Sequence, residues 1–317
     1  MCTSLSLPAP DGRHLFGRTL DLDTHFGEAP ILTPRRYPFS FADCYPLTHH
    51  YALLGMAALM DSPIAGGYPL YAEAMNEKGL CMAGLRFAGE AVYVPMPRDG
   101  WLNLAPWELI PYLLGTCATV AEVREALGHI CVVDKPFSEK VGTSPLHWHI
   151  ADADPTHGGL ILEVTAEGMN LYPAEAGVLA NTPAYPEQLA RLSVRQSLRG
   201  DVPGLPGDYS SPSRFVRAAT LRRWAVEQIA REQQGEPGKV FAGDLAVAQL
   251  FRILGAVSPT AGAVITPEGR CHRTLYTCCM DGQAGAYHYT TEGDAAVRSV
   301  TFAEHDLNGE AVTEIQS

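Results

Sequence analysis

The chain has 317 residues, of which 46% are hydrophobic and 18% charged, and a formal net charge of −12. It is too apolar for disorder, and its acidic balance, with no run of more than two Lys or Arg, disfavours nucleic acid and anionic membrane surfaces as partners. The longest apolar stretch, Tyr51 to Met60, falls well short of a membrane span, and no basic, apolar leader precedes the start. The expectation is a cytoplasmic protein folded as one large domain over residues 1–317.

The first two residues are Met1 and Cys2. If Met1 is clipped, Cys2 carries a thiol nucleophile and a free α-amine on one residue, and an α-amine titrates near working pH, at about 7.7–8.0. From Ser4 to Leu7 the sequence reads as a strand, Pro10-Asp11-Gly12 as a turn and His14 to Leu20 as the returning strand, before a long polar-aromatic loop. Such a hairpin would hold the N-terminus against a sheet and keep it from fraying. Tyr71 to Asn76 and Leu80 to Leu85 form a second hairpin, with Gly79 where the turn needs positive φ and Asn76 serving the turn.

Trp107, Ile110, Leu113 and Leu114 recur at helical spacing, and Thr119 to Glu122 is a capping box for a second helix. Strands return at Leu146–Ala151, Leu160–Thr165 and Asn170–Pro173. A Pro/Gly/Ser-rich loop, Gly200 to Ser213, precedes a helix with Phe215, Ala218, Leu221, Ala225 and Ile229 on one face. Asp244 caps a further helix over 245–254, and three strands close the chain, Leu275–Met280, Gly285–Thr290 and Ala296–Thr301. Segregated runs of strands and helices argue for antiparallel sheets packed on helices, so the fold class is α+β, a four-layer α/β/β/α sandwich. No phosphate-cradling glycine motif is present.

Cysteines number eight. They are scattered, with no CxxC, and Cys271 to Cys278 has the wrong interval for a zinc knuckle. Most read as small hydrophobic fillers, and Cys2 stands out by position. His147 and His149 alternate on one strand face but lack a third metal ligand at a telling spacing. Ser210-Ser211 lacks the context of a serine nucleophile.

Several segments together resemble the choloylglycine hydrolase family of bile salt hydrolases and penicillin V acylases, within the N-terminal-nucleophile (Ntn) hydrolases. They are Met1-Cys2-Thr3, Phe16-Gly17-Arg18-Thr19-Leu20-Asp21, Met75-Asn76-Glu77-Lys78-Gly79-Leu80 and Val178-Leu179-Ala180-Asn181-Thr182-Pro183. Gly204 to Ser211, Ser213-Arg214-Phe215-Val216-Arg217, Tyr276-Thr277 and Tyr287–Tyr289 extend the likeness to the C-terminal strands. The resemblance implies an Ntn hydrolase fold without metal or organic cofactor, cleaving the amide of an apolar acyl group. It implies Cys2 as nucleophile and its α-amine as base, Arg18 stabilising the thiolate, and Asp21 orienting the amine. Asn181 would donate to the oxyanion, with Arg214 in the network around Cys2 and Arg18.

Arg86 departs from the family pattern, since bile salt enzymes usually carry Asn there and penicillin V acylases often Tyr. Its backbone N–H would still serve the oxyanion hole. On that departure the expected substrate is penicillin V, with N-acyl homoserine lactones as plausible relatives of it; conjugated bile salts are the alternative, and a non-catalytic homologue that binds an acylated amine is the reading from another class. The partner is in each case a small acylated amine. A homo-oligomer is expected, although the interval from Asn181 to Arg214 is shorter than the family's, where an assembly loop usually lies.

Overall fold

The computed structural model describes residues 1–9, 11–61, 67–194, 204–234 and 243–315. In chain order, the elements begin with β1 (Cys2–Pro8), β2 (His14–Leu22), β3 (Glu28–Thr33), β4 (Leu53–Met60), β5 (Tyr68–Asn76), β6 (Cys81–Arg86) and β7 (Leu102–Leu104). A 3₁₀ turn at Pro106–Glu108 leads into α1 (Leu109–Thr116), α2 (Val120–Leu127), β8 (Ile130–Val132), β9 (Leu146–Ala151), β10 (Gly159–Thr165), β11 (Gly168–Pro173) and β12 (Val178–Leu179). Then come α3 (Tyr185–Ser193), α4 (Ser211–Gln234), α5 (Gly243–Gly255), β13 (Val264–Ile265), β14 (Cys271–Asp281), β15 (Ala286–Thr291), β16 (Asp294–Thr301) and β17 (Thr313–Glu314).

Two antiparallel sheets dominate. One runs β12-β1-β2-β14-β15-β16, with β13 paired to β14, and the other runs β11-β10-β9-β6-β5-β4-β3-β17. Helices α4 and α5 pack on the first sheet through β1, β2 and β14, and α1 packs on the second through β4, β5 and β6. The result is a four-layer α/β/β/α sandwich, as the sequence led us to expect. No helix among the described residues is long and apolar enough to cross a membrane.

Strand alternation divides the core. On β6, Cys81, Ala83 and Leu85 face the same cluster as β1 and β14, whereas Met82, with Leu80 just before the strand, faces α1 and α2. Strand β4 divides in the same way, Leu54 and Met56 to one side and Leu53 and Ala57 to the other. Both faces are covered, so Leu53–Met60 is a continuous apolar run without alternation, and its sequence gives no period by which to assign it. Strand β3 lies where the sequence suggested loop, and helix α3 occupies a stretch to which the sequence assigned no element.

The first hairpin forms as expected, with Cys2 opposite Leu20 and Ser4 opposite Arg18. Gly12 supplies the positive φ of its turn (88°), and Pro10 lies outside the described residues. In the second hairpin Gly79 has φ 87°. Asn76 serves that turn, its Oδ1 accepting from the Lys78 and Leu80 amides at 3.0 Å and its Nδ2 donating to the carbonyls of Leu114 and Cys117 at 2.7 Å. The capping box at Thr119 is half formed. Thr119 Oγ1 accepts from the Glu122 amide at 3.2 Å, but the Glu122 carboxylate turns to the Ala118 amide at 2.6 Å. The Asp244 side chain lies outside the described residues.

Strand β2 admits no side chain at Gly17. A Cβ there would sit 2.2 Å from the Cys278 carbonyl oxygen on β14 and 2.7 Å from Leu250 Cδ2 on α5. The carbonyl belongs to the strand ladder and cannot yield, so Gly17→Ala must part β2 from β14 next to Arg18. It is expected to destabilise the protein by at least about 2 kcal/mol, read as a lowered midpoint in denaturant unfolding.

Candidate active site

Cys2 opens β1, is almost fully buried (4% exposed), and lines a cavity of about 450 Å³ together with Arg18. Ser4 is opposite Arg18 and Cys2 opposite Leu20, so strand alternation puts the Cys2 and Arg18 side chains on the same face as diagonal neighbours. That face looks toward the second sheet. Leu20, Leu22 and Phe26 from the β2 side, Leu70, and Trp107 and Ile110 from the 3₁₀ turn and α1 give the cavity apolar walls. Its volume falls within the range of about 300–1,000 Å³ typical of small-molecule sites.

Arg18 is wholly buried. Its Nη1 donates to the carbonyls of Gly84 (3.0 Å) and Ala72 (3.2 Å) and to Glu73 Oε2 (3.4 Å), and its Nε to the Thr19 carbonyl (3.1 Å). Burial opposes its charge, but Cys2, Tyr276 and Glu73 outweigh that and hold its proton above the ordinary arginine value. Glu73 accepts in turn from the hydroxyls of Tyr276 and Tyr287, both at 2.7 Å.

On the opposite face of β1, α4 delivers Arg214, also fully buried. Asp208 sets the first turn of that helix by accepting from the Ser210 amide (2.9 Å) and Ser213 Oγ (2.7 Å), and these bonds pull its carboxyl down to about 2. Arg214 donates to the Cys2 carbonyl, to Thr3 Oγ1 (2.6 Å), to the Tyr209 carbonyl (3.1 Å) and to Asn181 Oδ1 (2.7 Å). Burial lowers its proton affinity, with Asp21 and Cys2 acting against that.

Asn181 is the junction. Its Oδ1 accepts from both the Cys2 nitrogen (2.7 Å) and Arg214, and its Nδ2 donates to the Arg86 carbonyl (2.8 Å). Two donors on the oxygen fix the orientation of the amide. The segment carrying Asn181 is clamped from below. Gln188 on α3 donates to the carbonyls of Asn181 (2.8 Å) and Pro183 (2.7 Å), and its Oε1 accepts from the Ala180 amide (3.2 Å). His147 Nε2 meets the Ala180 carbonyl at 2.7 Å, and since a carbonyl only accepts, that ring nitrogen carries a proton.

Asp21 is buried on the other face of β2 from Arg18. Its carboxylate accepts from Thr274 Oγ1 (2.7 Å) and Thr19 Oγ1 (3.4 Å). The Met1 amine donates to the Asp21 main-chain carbonyl, and the Asp21 amide donates to the Met1 carbonyl at 2.8 Å. Burial pushes the Met1 α-ammonium below its ordinary value. Arg86 ends β6 with an exposed side chain at the cavity.

The remaining candidates have other employment. His147 Nδ1 lies 3.1 Å from Glu163, and His149 Nδ1 lies 2.9 Å from Ser4 Oγ. Burial drives His149 down to about 3, so it is neutral. The sequence reading missed Glu73 and Gln188. Glu73 had a visible signal, a lone carboxylate in the otherwise apolar run Tyr71-Ala72-Glu73-Ala74-Met75, whereas Gln188 had none.

A family model for linear amide C–N hydrolases of the choloylglycine hydrolase family matches residues 2–314. The chain belongs to this family. It is 36% identical to a bile salt hydrolase/transferase from Lactiplantibacillus plantarum over 97% of this chain and 94% of that relative. The crystal structure of a conjugated bile acid hydrolase variant from Clostridium perfringens superposes with a TM-score of 0.87 at 30% identity, covering 100% of this chain and 97% of that one. Penicillin V acylase from Agrobacterium tumefaciens shares the fold, with a TM-score of 0.76 at 23% identity over 98% of this chain and 90% of that one. The chain is thus a C–N amide hydrolase of the choloylglycine hydrolase type. Among substrates, the relatives favour the bile salt alternative over the expected penicillin V preference. That preference rested on the side chain of Arg86, but the contact from Asn181 is to the Arg86 backbone and is indifferent to the side chain.

Asn181→Ala removes the acceptor shared by the Cys2 nitrogen and Arg214. It is expected to lower kcat for amide hydrolysis about 10- to 100-fold while leaving KM within about threefold, measured by steady-state kinetics.

Proposed function

We propose that this chain hydrolyses conjugated bile salts, with Cys2 as the nucleophile once Met1 is removed. The observation that carries this reading is the Cys2–Arg18 pair at an apolar cavity large enough for a rigid amphipathic acyl group. The names of the relatives, bile salt hydrolase/transferase and conjugated bile acid hydrolase, support the substrate class.

Removal of Met1 turns the nitrogen now bonded to Asn181 Oδ1 into a free α-amine. That amine takes the thiol proton as the Cys2 sulfur attacks the amide carbonyl. The buried Arg18 cation favours the thiolate. Collapse of the tetrahedral intermediate breaks the C–N bond, and the α-ammonium protonates the departing amine. Water, deprotonated by the same amine, then attacks the thioester and releases the acyl carboxylate and the thiol. Backbone N–H of Arg86 and the second N–H of the Asn181 amide are the proposed oxyanion donors. Asp21 acts through electrostatics on the amine, since its carboxylate is bonded to Thr274 and Thr19. The exposed Arg86 guanidinium suits an anionic leaving group, the carboxylate of glycine or the sulfonate of taurine.

The test is hydrolysis of glycocholate, taurocholate and penicillin V at equal concentration. Turnover of the conjugated bile salts is expected to exceed that of penicillin V at least tenfold, and the reverse order contradicts the substrate assignment. Cys2→Ser is expected to abolish at least 99% of turnover with an unchanged circular dichroism spectrum, whereas Cys44→Ser keeps wild-type kinetics. Comparable losses in both variants would remove Cys2 from the nucleophile role.

A further inference from the structure

Beneath Cys2 lies a polar cluster with no access to solvent, joining the two sheets. Glu73 from β5 crosses to Arg18 on β2, Tyr276 on β14 and Tyr287 on β15, and all four are fully buried or nearly so. Each Glu73 oxygen receives one phenol at 2.7 Å, and Oε2 also receives Arg18 Nη1 at the longer distance of 3.4 Å. Burial keeps both phenols protonated, with their hydrogens available to the carboxylate.

The guanidinium is held on one side. Nη1 carries three acceptors and Nε one, whereas Nη2 is buried without a protein partner among the described residues. Arg18 lines the cavity with Cys2, so the nitrogen left without a partner belongs to the group that borders the thiol. A bare carboxylate against Arg18 would cancel most of its charge. Two phenol donors draw the carboxylate's charge away from the guanidinium and leave a net positive field on the cavity side.

We propose that Glu73 is a positioning residue that aims Arg18 at the Cys2 sulfur, and that Tyr276 and Tyr287 set how much of the Arg18 charge reaches it. The inference rests on the reading of Cys2 as nucleophile. The other titratable groups around the cluster are Cys278 on β14, Asp21 on β2, Arg214 on α4 and the terminal amine; all are retained in the variants below.

The readout is the pH dependence of Cys2 alkylation by iodoacetamide, with the modified residue identified by peptide mass mapping. Glu73→Gln keeps the shape and removes the opposing charge, so the profile is expected to move about one pH unit lower. Tyr276→Phe and Tyr287→Phe each remove one donor from the carboxylate and leave it to draw more strongly on Arg18, so their profiles are expected to move higher. A merely structural cluster predicts no such pair of opposite shifts. Any other pattern overturns the proposal. If Glu73→Gln does not fold, the two Phe variants decide alone, and unmoved profiles in them overturn it. Failure of the underlying reading looks different, since alkylation of Cys2 would then leave hydrolysis intact in the wild-type enzyme.

Discussion

Two fully buried guanidiniums bracket the first residue of β1, Arg18 from between the sheets and Arg214 from the helix layer. Burying one cation is costly unless its donors are met, and burying two beside one thiol needs a dense set of oxygens in fixed places. Arg214 finds carbonyls, a threonine hydroxyl and the Asn181 amide oxygen, all neutral. Arg18 finds one carboxylate and three carbonyls. The supply of these oxygens ties β1, β2, β5, β6, the segment after β12 and the turn before α4 to the position of Cys2. The fold is therefore inseparable from the site, because the elements that form the sandwich are those that satisfy its cations.

The geometry also explains why the site sits at a strand start. In the proposed mechanism the nucleophile uses its own terminal nitrogen, which requires it to be the first residue of an ordered element, as Cys2 is of β1. Seven register pairs to β2 hold β1 in place, and the Asn181 oxygen takes the Cys2 nitrogen from the side. Asn181 is in turn fixed through Gln188, His147 and the carbonyl of Arg86. Preorganisation of this kind means that little has to move when a substrate carbonyl arrives.

Much of this was legible in the sequence where a local signal exists. Both hairpins, the strands β9 to β11 and β14 to β16, and helices α4 and α5 follow from turn residues, periodicity and caps. Strand β4 was hidden because helices cover one face of its sheet and the first sheet covers the other, which erases alternation. The site residues Cys2, Arg18, Asn181 and Arg214 were legible through family-like motifs, and the structure brings them together. Their detailed bonding was not legible. Asp21 was expected to face the amine with its carboxylate, but alternation along β2 turns that group to Thr274 on β14. Glu73 acts across sheets, which no sequence spacing encodes, and Gln188 reaches back from α3 to the segment just before it, a contact that its side chain alone does not announce. At Arg86 the sequence announced a conspicuous side chain, which the structure leaves exposed at the cavity, but gave no sign that its carbonyl accepts from Asn181.

In the proposed mechanism one residue supplies both thiol and base. Rapid acid quenching during glycocholate turnover, followed by mass spectrometry of the N-terminal peptide, would trap the acyl-enzyme and reveal both groups at once. The expected peptide begins at Cys2, lacks Met1 and carries a cholyl group on sulfur. Full activity from protein that retains Met1, or a cholyl group on any other residue, would contradict that mechanism.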